Sequence, residues 1–381
     1  MATSTVPEGC RAGTFEGPDI VTALARCDTG TRHELSPAKK RFTVGSAPDR
    51  DIPIESPFVS AHHCQLDRRL RGLHVTDQRS KNGTYFESAR ERAFYLRPGG
   101  TFAVGALPHR LLALNDEMRA CYPALIDILG DSVGNVLGEP EQHGPGSKTP
   151  SPCDMIAAAV DGAHLLIQSE AHCEQDHLAR IVHRISKLRA RPIVELDREQ
   201  VPVDRASQLG LLRRRATRST LVLDLGSDDT RLPTSFVSAV FAARYQIRVI
   251  ALVHSLGVAD AALGEYARQM TYVRLRPVAS RPEAIDRLLD RLLVERGSPL
   301  RISQVTPENQ HALRTYGWPS NFASLREVAD RLTAIARAGS INGAASALGI
   351  PRATLHHWYS KILGLSRPLV PSPSTAWPRP G

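Results

Sequence analysis

Four clusters of side chains in this 381-residue chain have types and spacing that could do chemistry. The first comprises Gly45 in VGSAPDRDI, Ser60-x-x-His63 in VSAHHCQL, and Ser80-Lys81-Asn82-Gly83 in DQRSKNGTYF. Taken singly these have plain local readings: Asn82-Gly83 is a hairpin-turn signal, and Ser60 could cap a loop. The second, in LLIQSEAHCEQDHLARIVHRIS, holds His172, Cys173, His177 and His183. They are metal-ligand types but do not together share one helical face, so no metal is expected. Arg213, Arg214, Arg215 and Arg218 form the third cluster, a basic run ahead of an apolar strand. It reads as a solvated face before it reads as a nucleic-acid stripe. The fourth is GSINGAASALGIPRATLHHWYSKILGL. Ile341, Ala344, Ala345 and Leu348 make one apolar face, Gly349 can end that helix in a left-handed turn, and Pro351 suits the start of the next. Leu355, Tyr359 and Ile362 are expected inside, leaving Arg352, Thr354, His356, His357 and Lys361 outside. No Asp or Glu follows Asp330, whereas Arg337, Arg352, Lys361, Arg367 and Arg379 do. That surplus attracts phosphates. No G-x-S-x-G nucleophile elbow occurs.

The elements that must position these residues fall into contrasting textures. The chain is 42% hydrophobic with a net charge of +9, a normal globular composition spread over a length that calls for two or three domains. Residues 1–16 are small and polar and are expected to be flexible. From Ile20 to Leu114, short β-like runs (Arg41–Val44, His63–Leu66, Leu73–Thr76, Thr84–Phe86, Thr101–Val104, Leu111–Leu114) alternate with turn residues, the pattern of a sandwich. EPEQHGPGSKTPSP, after Gly138, reads as a linker. Apolar strands (Ala163–Ile167, Pro192–Leu196, Leu221–Leu225, Arg248–Val253) then alternate with amphipathic helices (Asp176–Leu188, Phe236–Arg244), predicting a parallel sheet covered on both faces. Glu283–Val294, Asn309–Arg337, Ile341–Leu348 and Arg352–Leu363 are expected helices, and a Pro-rich tail follows. The six cysteines include no C-x-x-C pair, which argues against disulfide frameworks or zinc fingers and for a reducing compartment. With neither a signal-peptide pattern nor a membrane-length apolar run, a cytoplasmic protein without membrane association is expected.

The motifs near the N-terminus, in this order and spacing, resemble a forkhead-associated (FHA) domain, a β-sandwich whose apical loops read phosphothreonine peptides. The resemblance implies that Ser60 contacts phosphate, Lys81 supplies a second contact and Asn82 grips the peptide backbone. Gly45, His63 and Gly83 are implied to be structural, with His63 ordering its loop from inside. An Arg usual in the family is Ser46 here and another is Ala61, so Arg50 is the substitute cation. A protein-binding sandwich that needs no phosphate is the alternative. LLIQSEAHCEQDHLARIVHRIS, STLVLDLG, RVIALVHS, VRLRPVASRPEAIDRLL and LRTYGWPSNFASLREV resemble the AAA+ domain of bacterial enhancer-binding proteins, activators of sigma-54 polymerase. That resemblance implies a degenerate nucleotide site. Gln168, Ala171 and Cys173 stand where P-loop glycines belong, and Glu174 replaces the phosphate-binding Lys. A carboxylate ~4 Å from one phosphate charge costs ~4 kcal/mol at an effective dielectric of ~20. Asp224 keeps the magnesium-side carboxylate, but Leu225 replaces the catalytic Glu, His254 the sensor Asn and Ala323 the lid Arg. The sigma-54-contacting hairpin and its GAFTGA signature are absent. The last cluster resembles the Fis-type helix-turn-helix that ends those proteins, implying a homodimer or higher homo-oligomer on two-fold DNA with half-sites ~34 Å apart.

These readings give a multidomain chain: an all-β FHA sandwich (17–117), a linker (118–153), an α/β parallel-sheet AAA+-like core (154–296), a helical lid (297–335), a helix-turn-helix (336–367) and a tail (368–381). The expected function is a DNA-binding transcription regulator with a phosphopeptide or protein input, no cofactor and no ATP hydrolysis. The alternatives are an ATP-driven sigma-54 activator and an FHA adaptor that does not bind specific DNA.

Overall fold

The computed structural model describes residues 20–105, 109–130, 151–227, 231–366 and 369–370. The expected flexible start, most of the linker sequence after Gly138, Arg367, Arg379 and the prolines of the tail lie outside the described residues. The chain divides into two compact units, Met1–Ala120 and Cys121–Gly381.

The first unit alternates apolar and polar side chains along short strands: β1 (Ala23–Arg26), β2 (Arg32–Glu34), β3 (Arg41–Gly45), β4 (Ile52–Pro53), β5 (Cys64–Arg69), β6 (Gly72–Asp77), β7 (Thr84–Phe86), β8 (Ala89–Arg90), β9 (Ala93–Leu96), β10 (Thr101–Val104) and β11 (Arg110–Leu114). They form two sheets, in the orders β2-β1-β11-β10-β7-β8 and β4-β3-β5-β6-β9. Period-2 burial explains the sandwich: Phe42 and Val44 on β3, Cys64 and Leu66 on β5, and Leu73 and Val75 on β6 point into one core with Phe102, Val104 and Leu111. Each such side chain contributes roughly 1.5–3 kcal/mol. The expected strands are present, and β1, β2, β4, β8 and β9 add to them.

A helix, α1 (Asp116–Leu129), occupies residues assigned above to the linker. Its cause is legible afterwards. Asn115 caps it through Oδ1 to the Met118 N–H at 2.9 Å. Met118, Cys121, Tyr122, Leu125, Ile128 and Leu129 then recur at helical spacing and are buried. Pro123 lies inside the helix, and the Arg119 carbonyl it leaves without a helical donor accepts Arg32 Nη1 at 3.4 Å.

The second unit is built on five parallel strands, β12 (Leu165–Gln168), β13 (Ile193–Asp197), β14 (Thr220–Asp224), β15 (Arg248–Val253) and β16 (Thr271–Arg274), in the order β13-β14-β15-β12-β16. Helices α2 (Pro152–Asp161), α3 (Gln175–Arg184), α4 (Arg205–Leu211), α5 (Thr234–Val240) and α6 (Leu256–Leu263) alternate with them. Every residue of β15 is buried. Its Arg248 sends three N–H groups to the carbonyls of Ala163, Ala159 and Ala158 at 3.0–3.1 Å, closing the C-terminus of α2. Because β12 lies between β15 and β16, the strand order reverses at its carboxyl end, the crevice where open α/β sheets bind ligands.

Five helices follow: α7 (Ile285–Glu295), α8 (Pro307–Thr315), α9 (Asn321–Ala338), α10 (Ile341–Leu348) and α11 (Arg352–His357). They share one core around Leu289, Trp318, Phe322, Leu325 and Leu332. Three expectations change here. Asn309–Arg337 is two helices, interrupted around Trp318 and Asn321, both of which hold positive φ. The helix expected to reach Leu188 ends at Arg184, with Ile185 as its C-cap. Ile362 is 46% exposed, and the interior position belongs to Trp358, 5% exposed. Among the described residues no helix is long and apolar enough to cross a membrane.

Candidate functional sites

The apical end of the sandwich is assembled from three loops. After β3 the chain passes so close to the loop before β5 that a Cβ on Gly45 would lie 2.1 Å from the Ala61 carbonyl oxygen. Only glycine fits there. The approach is used: Ser46 N–H donates to Ser60 O at 3.0 Å and His63 N–H to Val44 O at 2.9 Å. The His63 ring is fully buried between loops. Its Nδ1 accepts the Ser60 N–H at 3.1 Å, so Nε2 carries the proton and donates to Gly83 O at 2.9 Å. Burial holds this imidazole below its usual pKa, despite the Gly83 carbonyl and Asp77 pulling upward. The third loop is organised by Asp77. Its carboxylate accepts Ser80 N–H at 2.9 Å, Ser80 Oγ at 2.6 Å and Thr84 Oγ1 at 2.7 Å. Burial alone raises the Asp77 carboxyl, but these hydrogen bonds outweigh it and leave the pKa lowered. Ser80 Oγ then takes the Gly83 N–H at 3.0 Å, and Gly83 turns with φ +86°.

These constraints bring Ser60, Lys81 and Asn82 onto one rim. Lys81 N–H donates to Ser60 Oγ at 3.1 Å, and Asn82 Nδ2 donates to Phe58 O at 2.9 Å. The Lys81 side chain is exposed, and Phe58, whose carbonyl Asn82 holds, is 56% exposed. Arg50 is engaged elsewhere: it forms an ion pair with Asp49, and Nη1 lies 2.9 Å from His62 Nδ1.

The turn at the carboxyl end of β12 is closed by its own chain. Cys173 is buried, which pushes its thiol up to about 11. His172 and Glu174 hold left-handed backbone angles, φ +61° and +67°. The start of α9 clasps this turn. Asn321 Nδ2 donates to Ala171 O at 3.0 Å, its Oδ1 accepts the Val278 N–H at 2.9 Å, and Phe322 N–H reaches His172 O at 3.1 Å. Glu174 forms an ion pair with Arg326 of α9 and lies 3.4 Å from His177 Nδ1. Burial raises this carboxyl, yet His177 and Arg326 prevail and its pKa is lowered. Asp224 is exposed and accepts the Gly226 N–H at 3.0 Å, whereas Leu225 is buried in the core. His254 lies on the same edge, Nδ1 3.0 Å from Gly226 O. Ala323 is half-buried in the first turn of α9. Among the described residues no group of three or more His, Cys, Asp or Glu is placed to hold a metal.

The third site is the α10–α11 pair. Ser340 caps α10 by accepting the Gly343 N–H at 3.1 Å. Gly349 turns the chain at φ +67°, and Ile350 N–H returns to Ala345 O at 3.1 Å. Leu355, Trp358 and Tyr359 are buried, with Arg331 of α9 stacked 4.5 Å over the Trp358 ring. Tyr359 OH and Asn309 Nδ2 both donate to Ser366 O, at 2.8 and 3.0 Å, tying the end of this segment to α8. Arg352, Thr354, His356, His357 and Lys361 all face outward.

A sequence model of the FHA domain matches residues 42–105. Those residues are an FHA domain. The chain is 35% identical over 101 residues to the ABC transporter ATP-binding/permease protein Rv1747 of Mycobacterium tuberculosis. That stretch is 26% of this chain, and the chain spans 11% of the length of that relative. A structure of Mycobacterium tuberculosis EmbR with a low-affinity phosphopeptide is 23% identical, with 24% of each chain covered and a TM-score of 0.22. NtrX from Brucella abortus, with ATP, is 16% identical with a TM-score of 0.36, covering 55% of this chain and 66% of that one. In the FHA domain the structure brings Ser60, Lys81 and Asn82 together, and it holds Gly45, His63 and Gly83 behind them. Arg50 is tied to a neighbouring carboxylate. Sequence reasoning missed Asp77, although an Asp three residues before Ser80 is a turn-forming signal. It also missed Phe58, as well as Asn321 and Arg326 on the second unit's clasp.

Proposed function

We propose that this protein is a DNA-binding transcription regulator whose FHA domain receives a phosphothreonine-bearing partner. Ser60 Oγ and the Lys81 ammonium hold the phosphate, and Asn82 holds the peptide backbone. The parallel-sheet unit acts as an AAA+-like scaffold that does not hydrolyse ATP. Glu174 in place of a phosphate-binding cation supports that reading, as does Leu225, an apolar side chain turned into the core. The α10–α11 pair acts as a helix-turn-helix, in a homodimer, with α11 in the major groove.

The observation that carries this reading is the outward face of α11. It presents Arg352, Thr354, His356 and His357, with Lys361 just beyond, on a segment whose other side is locked by Leu355, Trp358 and Tyr359. Genome-wide mapping of bound DNA supplies the target, and the purified chain is then titrated with that duplex. Arg352→Ala lowers specific affinity by about ten- to a hundredfold, the worth of a base contact. Unchanged discrimination between target and scrambled duplex refutes the assignment. ATP turnover above background, abolished by Asp224→Asn, overturns the inactive-scaffold reading.

A further inference from the structure

The sequence places its basic run in isolation, but the sheet does not leave it alone. Strands β13, β14 and β15 are parallel neighbours with Ile193, Thr220 and Arg248 abreast, so the segments entering them lie side by side. Neighbouring strands sit about 4.8 Å apart. The segment entering β13 carries Arg184, Lys187, Arg189 and Arg191. The one entering β14 carries Arg213, Arg214, Arg215 and Arg218, and the one entering β15 carries Arg244. All of these side chains are exposed, and residues 184–191, 211–219 and 241–247 contain no Asp or Glu. The segments touch. Arg218 N–H donates to Tyr245 O and its Nε to Gln246 Oε1, both at 2.9 Å, and Ser219 Oγ donates to Pro192 O. The turn that presents the arginine triplet is fixed by its buried ends, Leu212 and Ala216, both 0% exposed, and by Thr217 N–H bonding to Leu212 O at 2.9 Å. The opposite, carboxyl ends of the same strands bear Glu195, Asp197 and Asp224. The sheet therefore has a cationic edge and an anionic one.

We propose that the cationic edge is a second, sequence-independent contact for duplex DNA, engaging the sugar–phosphate backbone away from the α10–α11 pair. All but one of these cations are arginines, whose planar fork suits phosphate oxygens. A duplex offers one negative charge per about 1.7 Å, a density that such a continuous row can match. A lipid surface fits less well. Membrane-surface patches pair their cations with inserted apolar side chains, and among the described residues the large exposed hydrophobics all lie outside these three segments.

The test uses the full chain and a 30-base-pair duplex of arbitrary sequence, titrated at several KCl concentrations. Each lost phosphate contact lowers the slope of log affinity against log salt by about 0.9. The variant Arg213→Gln/Arg214→Gln/Arg215→Gln is expected to reduce the slope by about 2–3 and to weaken binding at least tenfold at low salt. Lys187→Gln/Arg191→Gln, on the adjacent segment, acts in the same direction, which separates a shared surface from a local folding defect in either variant. Wild-type slope and affinity in both variants overturn the proposal. So does a patch that binds phosphatidylserine vesicles or polyglutamate in preference to duplex. Arg352→Ala keeps the arbitrary-sequence binding even if the helix-turn-helix reading fails, so the two failures are distinguishable.

Discussion

At the scale of single residues, the FHA apex separates groups that hold the loops from groups left exposed at the rim. Ser60 Oγ accepts the Lys81 N–H, which leaves its own O–H to donate outward, and the Lys81 ammonium is exposed. Hydrogen bonds to a charged group are worth about 1.5–3 kcal/mol. Ser60→Ala and Lys81→Ala are therefore each expected to weaken a phosphothreonine peptide by about ten- to a hundredfold in calorimetric titration, Lys81→Ala with little effect on melting and Ser60→Ala with a loss of about 1 kcal/mol for the Lys81 N–H bond. Equal affinity of wild type for phosphorylated and plain peptide defeats the assignment. His63 behaves differently, because it is buried as a neutral ring. Its folded pKa lies below the usual 6.5, so the unfolded chain binds the proton more readily. Stability from this group is complete above pH 6.5 and is lost as pH falls from that value through the lower folded pKa. His33 in the same unit has a lowered pKa for the same first cause, burial. The carboxyls of Asp51, Asp67 and Asp77 are shifted down from 3.8 and so stay ionised across this window. A melting temperature of the sandwich that drops between pH 7 and pH 5 is expected, and a flat profile contradicts the buried neutral ring.

At the scale of elements, legibility followed local pattern. The β5–β6 strands, β15 and α10 were readable because alternation, a short apolar run and an apolar helical face ended by a glycine are local signals. Helix α1 was missed because Pro123 interrupts its sequence, and the compensating donor, Arg32, comes from β2. The clasp at β12 was illegible for the same reason: Asn321 meets Ala171 from 150 residues away. Comparing its neighbours with a nucleotide-site pattern could not reveal the contacts that hold this turn. Asn321 is 3% exposed and bonds on both sides of its amide, so Asn321→Ala strands buried donors and acceptors at about 1–3 kcal/mol each. Arg326 is 46% exposed, and its pair with Glu174 is worth about 1 kcal/mol or less. Thermal unfolding of the second unit should show a several-degree loss for Asn321→Ala and a much smaller one for Arg326→Ala. The reverse order refutes the clasp as the dominant contact.

At the scale of the whole molecule, the net charge of +9 is unevenly distributed, and so is the capacity to bind ligands. Each unit buries a core of its own, around Leu66 in one and around Val249 and Leu325 in the other. A ligand specific to one unit therefore stabilises that unit's transition by RT ln(1 + [L]/Kd), about 2.7 kcal/mol at a hundredfold excess over Kd. For the phosphothreonine peptide the expected result in calorimetry is a rise confined to the FHA transition. ATP with magnesium is the informative contrast. To enter the β12 turn, its phosphates must approach the Glu174 carboxylate, a repulsion of ~4 kcal/mol per phosphate charge at ~4 Å. They must also displace the Asn321 and Phe322 contacts that already hold the turn. Both penalties raise Kd, by about tenfold for each 1.4 kcal/mol, so [L]/Kd stays small at millimolar ATP and both transitions should stay where they are. Glu174→Lys removes the repulsion together with the Arg326 pair while leaving the Asn321 and Phe322 contacts in place, and it tests which penalty dominates. A variant that gains ATP-dependent stabilisation identifies the carboxylate as the block, whereas an unresponsive one assigns the block to the clasp. ATP stabilisation of the wild-type second unit contradicts both.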